Sequence, residues 1–104
     1  MSEFVRACAA SDVPEQGTFA VELNGTALVI VRSEGQLYAL DEFCTHEDVS
    51  LADGEVYEQT VECWLHGSCF DLGTGKPTGP PATRALNTYQ VRIDGDDVLV
   101  ALPA

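Results

Sequence analysis

An all-β fold, an antiparallel sandwich or small barrel, is predicted by three observations: short apolar stretches alternating every second residue, turn dipeptides between them, and almost no helical periodicity. Phe19, Val21 and Leu23 alternate with Ala20 and Glu22, as in a strand buried on one face. Asn24-Gly25 follows, two residues that tolerate positive φ and so close a tight hairpin. Beyond it, Ala27-Leu28-Val29-Ile30-Val31 is an unbroken apolar run, suited to a strand covered on both faces. Glu34-Gly35 turns into a strand over Leu37-Tyr38-Ala39-Leu40. Near the end, Tyr89, Val91 and Ile93 alternate with Gln90, Arg92 and Asp94, and Asp94-Gly95 turns into Val98-Leu99-Val100. Only Ser11-Asp12-Val13-Pro14-Glu15 resembles a helix start, long enough for a turn or two.

The texture changes from about residue 43 to about residue 81. The stretch Gly73-Thr74-Gly75-Lys76-Pro77-Thr78-Gly79-Pro80-Pro81 holds three glycines and three prolines, which cannot continue a central strand or a helix and predict a rigid loop. No repeat, low-complexity segment or linker divides the chain, so 1–104 reads as a single domain with 43–81 inserted into the strand framework.

Seventeen acidic against five basic residues give a formal charge of -12. That balance excludes nucleic acid and anionic membrane surfaces as partners, because both require positive charge. It suits solubility, and it would also steer encounter with a basic patch on a partner protein. No apolar stretch approaches the ~18 residues of a membrane span. The start, Met1-Ser2-Glu3-Phe4-Val5-Arg6, lacks a basic segment followed by an apolar one, so a cytoplasmic location is expected. In that compartment a disulfide framework is not expected from the four cysteines.

Two of those cysteines lie beside the only two histidines. Cys44-Thr45-His46 is followed, after sixteen residues, by Cys63-Trp64-Leu65-His66. Two thiolates paired with two imidazoles is the donor set of a Rieske-type 2Fe-2S centre, with two cysteines on one iron and two histidines on the other. Between the pairs, residues 56–62 can run out and back as extended chain and bring the two loop tips together. Zinc also takes two cysteines and two histidines, but its familiar sites group like with like at wider spacing, so a zinc module is the weaker reading. With both histidines committed, none remains for the two-histidine, one-carboxylate iron site of an oxygenase, and no catalytic residue is assigned.

Cys44-Thr45-His46 and Cys63-Trp64-Leu65-His66-Gly67-Ser68, with Phe70-Asp71, Thr74-Gly75 and Gly79-Pro80-Pro81, resemble the small Rieske 2Fe-2S ferredoxins that serve bacterial non-haem iron oxygenases, including those that hydroxylate aromatic rings. The resemblance covers essentially the whole chain. It implies two antiparallel sheets plus a cluster-binding subdomain, with one cluster per chain. Cys44 and Cys63 would bind the buried iron, His46 and His66 the outer one, and Pro80 and its neighbours would shield the cluster. The implied role is that of a monomeric one-electron carrier rather than an enzyme. Its electrons would come from a flavin-dependent NAD(P)H ferredoxin reductase and pass to a terminal oxygenase. A ferredoxin or interaction protein linked to iron–sulfur assembly is the alternative.

The chain departs from higher-potential relatives at several positions. Val49 and Leu65 stand where those proteins carry an extra disulfide. Ser68 matches a hydroxyl that donates to a cluster sulfur there, but Phe70 replaces a second donor, a tyrosine. Trp64 replaces the usual proline after the second cysteine. Fewer donors, with Glu42, Glu47, Asp48 and Glu62 nearby, disfavour adding an electron and predict a potential low in the range of roughly -150 to +300 mV. Cys8 and Cys69 read as ordinary small side chains. Gly73-Thr74-Gly75-Lys76 lacks the spacing and the following hydroxyl residue of a phosphate loop.

Overall fold

The computed structural model describes residues 2–43, 50–63, 69–78 and 84–103, and contains three antiparallel sheets. The strands are β1 (Ser2–Ala9), β2 (Gly17–Leu23), β3 (Thr26–Ser33), β4 (Gln36–Asp41), β5 (Val56–Tyr57), β6 (Thr60–Glu62), β7 (Cys69–Asp71), β8 (Thr88–Tyr89), β9 (Val91–Asp94) and β10 (Asp97–Pro103). Their orders are β1-β10-β9, β2-β3-β4-β8 and β5-β6-β7. The all-β expectation holds. The helix start near Ser11 is one 3-10 turn, Ala10–Asp12, whose Asp12 carboxylate accepts from the Ala9 N–H at 3.1 Å.

The middle sheet separates two cores, and β3 explains why its apolar run has no polar break. Leu28 and Ile30 face one side, packing with Cys8, Val98, Val100 and Leu102 of the β1-β10-β9 sheet. Val29 and Val31 face the other, packing with Leu51, Val61, Cys63, Phe70, Leu72 and Leu86. Side chains alternate across a strand, so one run of four fully buried residues supplies both layers. On β4, Ala39 joins the first core and Leu40 the second.

Both early hairpins form as expected. Asn24 (φ 51°) with Gly25 (φ 82°), and Glu34 (φ 51°) with Gly35 (φ 81°), have the paired positive φ that matches strand twist. The late hairpin pairs Asp94 with Asp97 and centres on Gly95-Asp96, with Gly95 at φ 62°.

Two strand features differ from expectation. The run from Tyr89 to Asp94 is not one strand. Tyr89 pairs with Ala39 in the middle sheet, whereas Val91 pairs with Val100 in the other, so the chain changes sheets at Gln90. Past the switch the alternation no longer reports burial, and Ile93 is 54% exposed. Strand β1, which no alternation announces, pairs along β10 with a register shift between Arg6 and Cys8.

Candidate metal centre

Of the residues singled out around the proposed cluster, Glu42, Glu62, Cys63 and Phe70 lie within the described structure, and Glu47 and Asp48 lie outside it. Cys44, His46, His66, Ser68 and Pro80 lie outside the described residues, as do Val49, Trp64 and Leu65. What surrounds them shows how the ligand segments are anchored.

Cys63 follows directly on β6 and is 1% exposed, packed in the second core with Leu51, Phe70 and Leu72. Phe70, on β7, is fully buried opposite Val61 and forms an isolated bridge with Pro77. The expected hairpin between the two ligand pairs is present as β5 and β6, with Val56 opposite Val61 and Tyr57 opposite Thr60. Its turn is tied to the middle sheet, because the buried Ser33 hydroxyl donates to the Glu58 carbonyl.

The segment 44–49 springs from a closed base. Phe43 bridges Ser50, and the Leu51 N–H donates to the Glu42 carbonyl at 2.7 Å. The Ser50 hydroxyl donates to the Glu42 carboxylate at 2.6 Å and accepts from the Ala52 N–H at 3.1 Å, capping a second 3-10 turn over Leu51–Asp53.

The segment 64–68 has an equally firm base. Glu62 stands opposite Cys69, whose thiol lies 3.8 Å from the Glu62 carboxylate. Burial first, then that carboxylate, push the Cys69 thiol above its ordinary pKa. Cys69 is half-buried while Phe70 is fully buried, as alternation along a strand requires.

The same Cys69 anchors the third segment, since its carbonyl accepts from the Thr78 N–H at 2.8 Å. The turn between is held by Asp71, whose carboxylate accepts from the Thr74 N–H at 2.9 Å and from its hydroxyl at 3.0 Å. Gly75 at φ 76° lies so close to the Leu86 carbonyl oxygen that a Cβ would collide with it. Asp71, Thr74 and Gly75 thus have a shared structural reason: they form the turn that folds residues 76–78 back along β7.

Sequence reasoning did not single out Gly54, which presses on the Glu62 carbonyl, or the Thr18 hydroxyl, which donates to the Ala52 carbonyl at 2.8 Å. The Asp53-Gly54 dipeptide was the available signal, and it reads as an ordinary turn.

The strand framework thus carries a buried cysteine, Cys63, at the base of one of three closely anchored segments. The Rieske [2Fe-2S] domain family model matches residues 3–90, and the chain belongs to that family. It is 34% identical over 100 residues to the ferredoxin component of the naphthalene 1,2-dioxygenase system of Pseudomonas aeruginosa, covering 96% of each chain. A chain in the complex of reduced oxygenase and oxidized ferredoxin in carbazole 1,9a-dioxygenase superposes with a TM-score of 0.86 at 33% identity, over 94% of this chain and 92% of that one. The Sphingomonas yanoikuyae B1 ferredoxin gives 0.90 at 29% identity, over 97% and 100%. The protein is a Rieske-type ferredoxin, an electron carrier rather than a catalyst. Among the described residues, Cys63 fits its 2Fe-2S group as a soft sulfur donor buried with Leu51, Phe70 and Leu72. No helix among the described residues is long and apolar enough to cross a membrane.

Proposed function

We propose that Cys44, His46, Cys63 and His66 hold the cluster, with Cys44 and Cys63 on the inner iron and His46 and His66 on the outer one. The buried position of Cys63 at the end of β6 supports this reading, because a sulfur donor on the core side suits the inner iron. Residues 43–81 form the cluster-binding subdomain of a single domain. When bound, the cluster gains and loses one electron. The protein's own part is to exclude water around Cys63, fix the loop bases and present a docking face.

The carrier takes electrons from a flavin-dependent NAD(P)H ferredoxin reductase and delivers them to a terminal non-haem iron oxygenase acting on an aromatic compound. Support comes from the naphthalene dioxygenase ferredoxin relative and from the carbazole dioxygenase assembly in which the similar chain is found. Phe43, immediately before Cys44, is 45% exposed and offers apolar contact beside the first ligand pair. The charge of -12 favours a basic partner face. The protein works as a soluble monomer in the cytoplasm.

Anaerobic purification followed by electron paramagnetic resonance of the dithionite-reduced protein tests the ligand set. The wild type should show the low average g value of mixed sulfur–nitrogen coordination, and His66→Ala should lose it. A colourless protein binding zinc would overturn the assignment. Turnover reconstituted with flavoprotein reductases and an aromatic-ring oxygenase tests the partners. An oxygenase system that gains no turnover on its addition would remove the proposed path.

A further inference from the structure

We infer that Gly54 is a positioning residue that sets the separation of the two ligand loops, an inference that rests on the four-residue ligand set proposed above. Gly54 closes the 3-10 turn that follows the first ligand segment, its N–H donating to the Leu51 carbonyl at 3.0 Å. Its α-carbon lies against the peptide of Glu62, the residue directly before Cys63. A Cβ built there collides with the Glu62 carbonyl oxygen, sits 2.9 Å from the Glu62 carbonyl carbon and 3.3 Å from the Leu51 oxygen. All three neighbours are backbone atoms, which cannot swing aside as a side chain can. The contact is locked on both sides, since the Glu62 N–H donates to the Glu55 carbonyl at 2.8 Å.

The chain leaving the first ligand loop and the strand entering the second are therefore in backbone contact through a position with no side chain. Behind it, Leu51 is fully buried beside Cys63, and the Thr18 hydroxyl of β2 holds the Ala52 carbonyl at 2.8 Å. The path β2, turn, Gly54, β6 forms a strut across the base of the site. A methyl group at position 54 forces β6 and the turn apart, and the ligands that each carries move with them. Glycine meets a packing requirement here, because Gly54 is not among the glycines with positive φ.

The test is Gly54→Ala in the holo-protein, read by reduced-state g values, midpoint potential and loss of iron to a chelator. Expected are shifted g values and a cluster held roughly tenfold or more less tightly, the scale on which outer-shell partners act on metal sites. Leu28→Ala, which opens a cavity in the opposite core, separates general destabilisation from repositioning and should keep wild-type g values and potential. A folded Gly54→Ala protein with wild-type g values and chelator resistance overturns the inference. Should Gly54→Ala fail to fold, Thr18→Val decides: it removes the tie to Ala52 without adding bulk. Faster iron release from Thr18→Val supports the strut, and unchanged release overturns it. Failure of the ligand reading would look different, because the wild type itself would then lack the mixed sulfur–nitrogen signal.

Discussion

Tyr89 donates its hydroxyl hydrogen to Asp41 at 2.7 Å, across the two-residue pairing of β8 with β4. The same carboxylate accepts from the Asn87 N–H at 3.0 Å, and the Asp41 N–H returns a bond to the Asn87 carbonyl at 3.1 Å. Asp41 ends β4 three residues before Cys44. The staple therefore holds the strand that delivers the first ligand segment against the strand at which the chain changes sheets.

Tyr89→Phe should lower stability by about 1–2 kcal/mol, the worth of a hydrogen bond to a charged acceptor in a half-buried setting. Burial, followed by the bond to Asp41, raises the Tyr89 pKa from 10.0 to about 12. A raised folded-state value means that the fold favours the protonated phenol. The stabilisation is complete below pH 10 and disappears as pH climbs through about 12. Thermal midpoints of wild type and Tyr89→Phe should thus differ at pH 7 and converge at the alkaline end. A constant gap across that window would refute the linkage.

Phe70→Tyr should raise the midpoint potential. Phe70 is enclosed between Val61 and Pro77 on the strand that follows the second ligand segment, so a hydroxyl added to its ring stays out of water. There it must find an acceptor or remain unsatisfied at a cost of about 1–3 kcal/mol. A cluster sulfur is the acceptor that stabilises the reduced state. One such bond of about 1 kcal/mol corresponds to roughly 40 mV for one electron. Ser68→Ala should shift the potential in the opposite direction. Protein-film voltammetry showing neither shift would eliminate hydrogen-bond tuning at these two positions.

The legible parts of the sequence were those where local chemistry decides the outcome. Asn24-Gly25 specifies its turn directly, and the run from Leu28 to Val31 announces a strand buried on both faces. Both histidines and two of the cysteines stand out by type and spacing as the proposed ligand set, of which Cys63 lies within the described residues, in the core. Other features depend on long-range pairing. The alternation from Tyr89 to Ile93 continues through Gln90 because strand periodicity is blind to a change of sheet. Strand β1 is hidden by Arg6-Ala7-Cys8-Ala9, where small residues and one register shift erase the contrast between faces. Gly54 reads as a turn former, and only the Glu62 backbone pressed against it reveals a second requirement.

The two cysteines outside the ligand set should react slowly with thiol reagents at neutral pH. Cys8 is buried among Val98, Val100 and Leu102, and burial followed by the Asp12 charge raises its pKa. Burial and Glu62 do the same for Cys69. Since the thiolate is the nucleophile, both are protected by the same sign of shift. Alkylation of the holo-protein at pH 7 should leave Cys8 and Cys69 largely unmodified, by intact mass. Cys69→Ser should keep the wild-type cluster spectrum, and an altered spectrum would give Cys69 a part in the site.

Leu28 and Leu51 are both fully buried but lie in different cores. Leu28→Ala opens its cavity between the two larger sheets, against Val98 and Val100. Leu51→Ala opens one beside Cys63 and Phe70. Each should lose about 2–5 kcal/mol, because deletion of a buried leucine combines lost transfer free energy with a cavity that relaxes only partly. Their thermal midpoints should therefore fall by similar amounts. Their spectra should not match: the Leu51 cavity lets the 3-10 turn and the end of β6 settle toward each other, whereas β3 stands between the Leu28 cavity and Cys63. Shifted reduced-state g values in Leu51→Ala, with wild-type values in Leu28→Ala, would show that the middle sheet isolates the cluster side mechanically. Equal shifts in both would mean that the fold behaves as one continuous core.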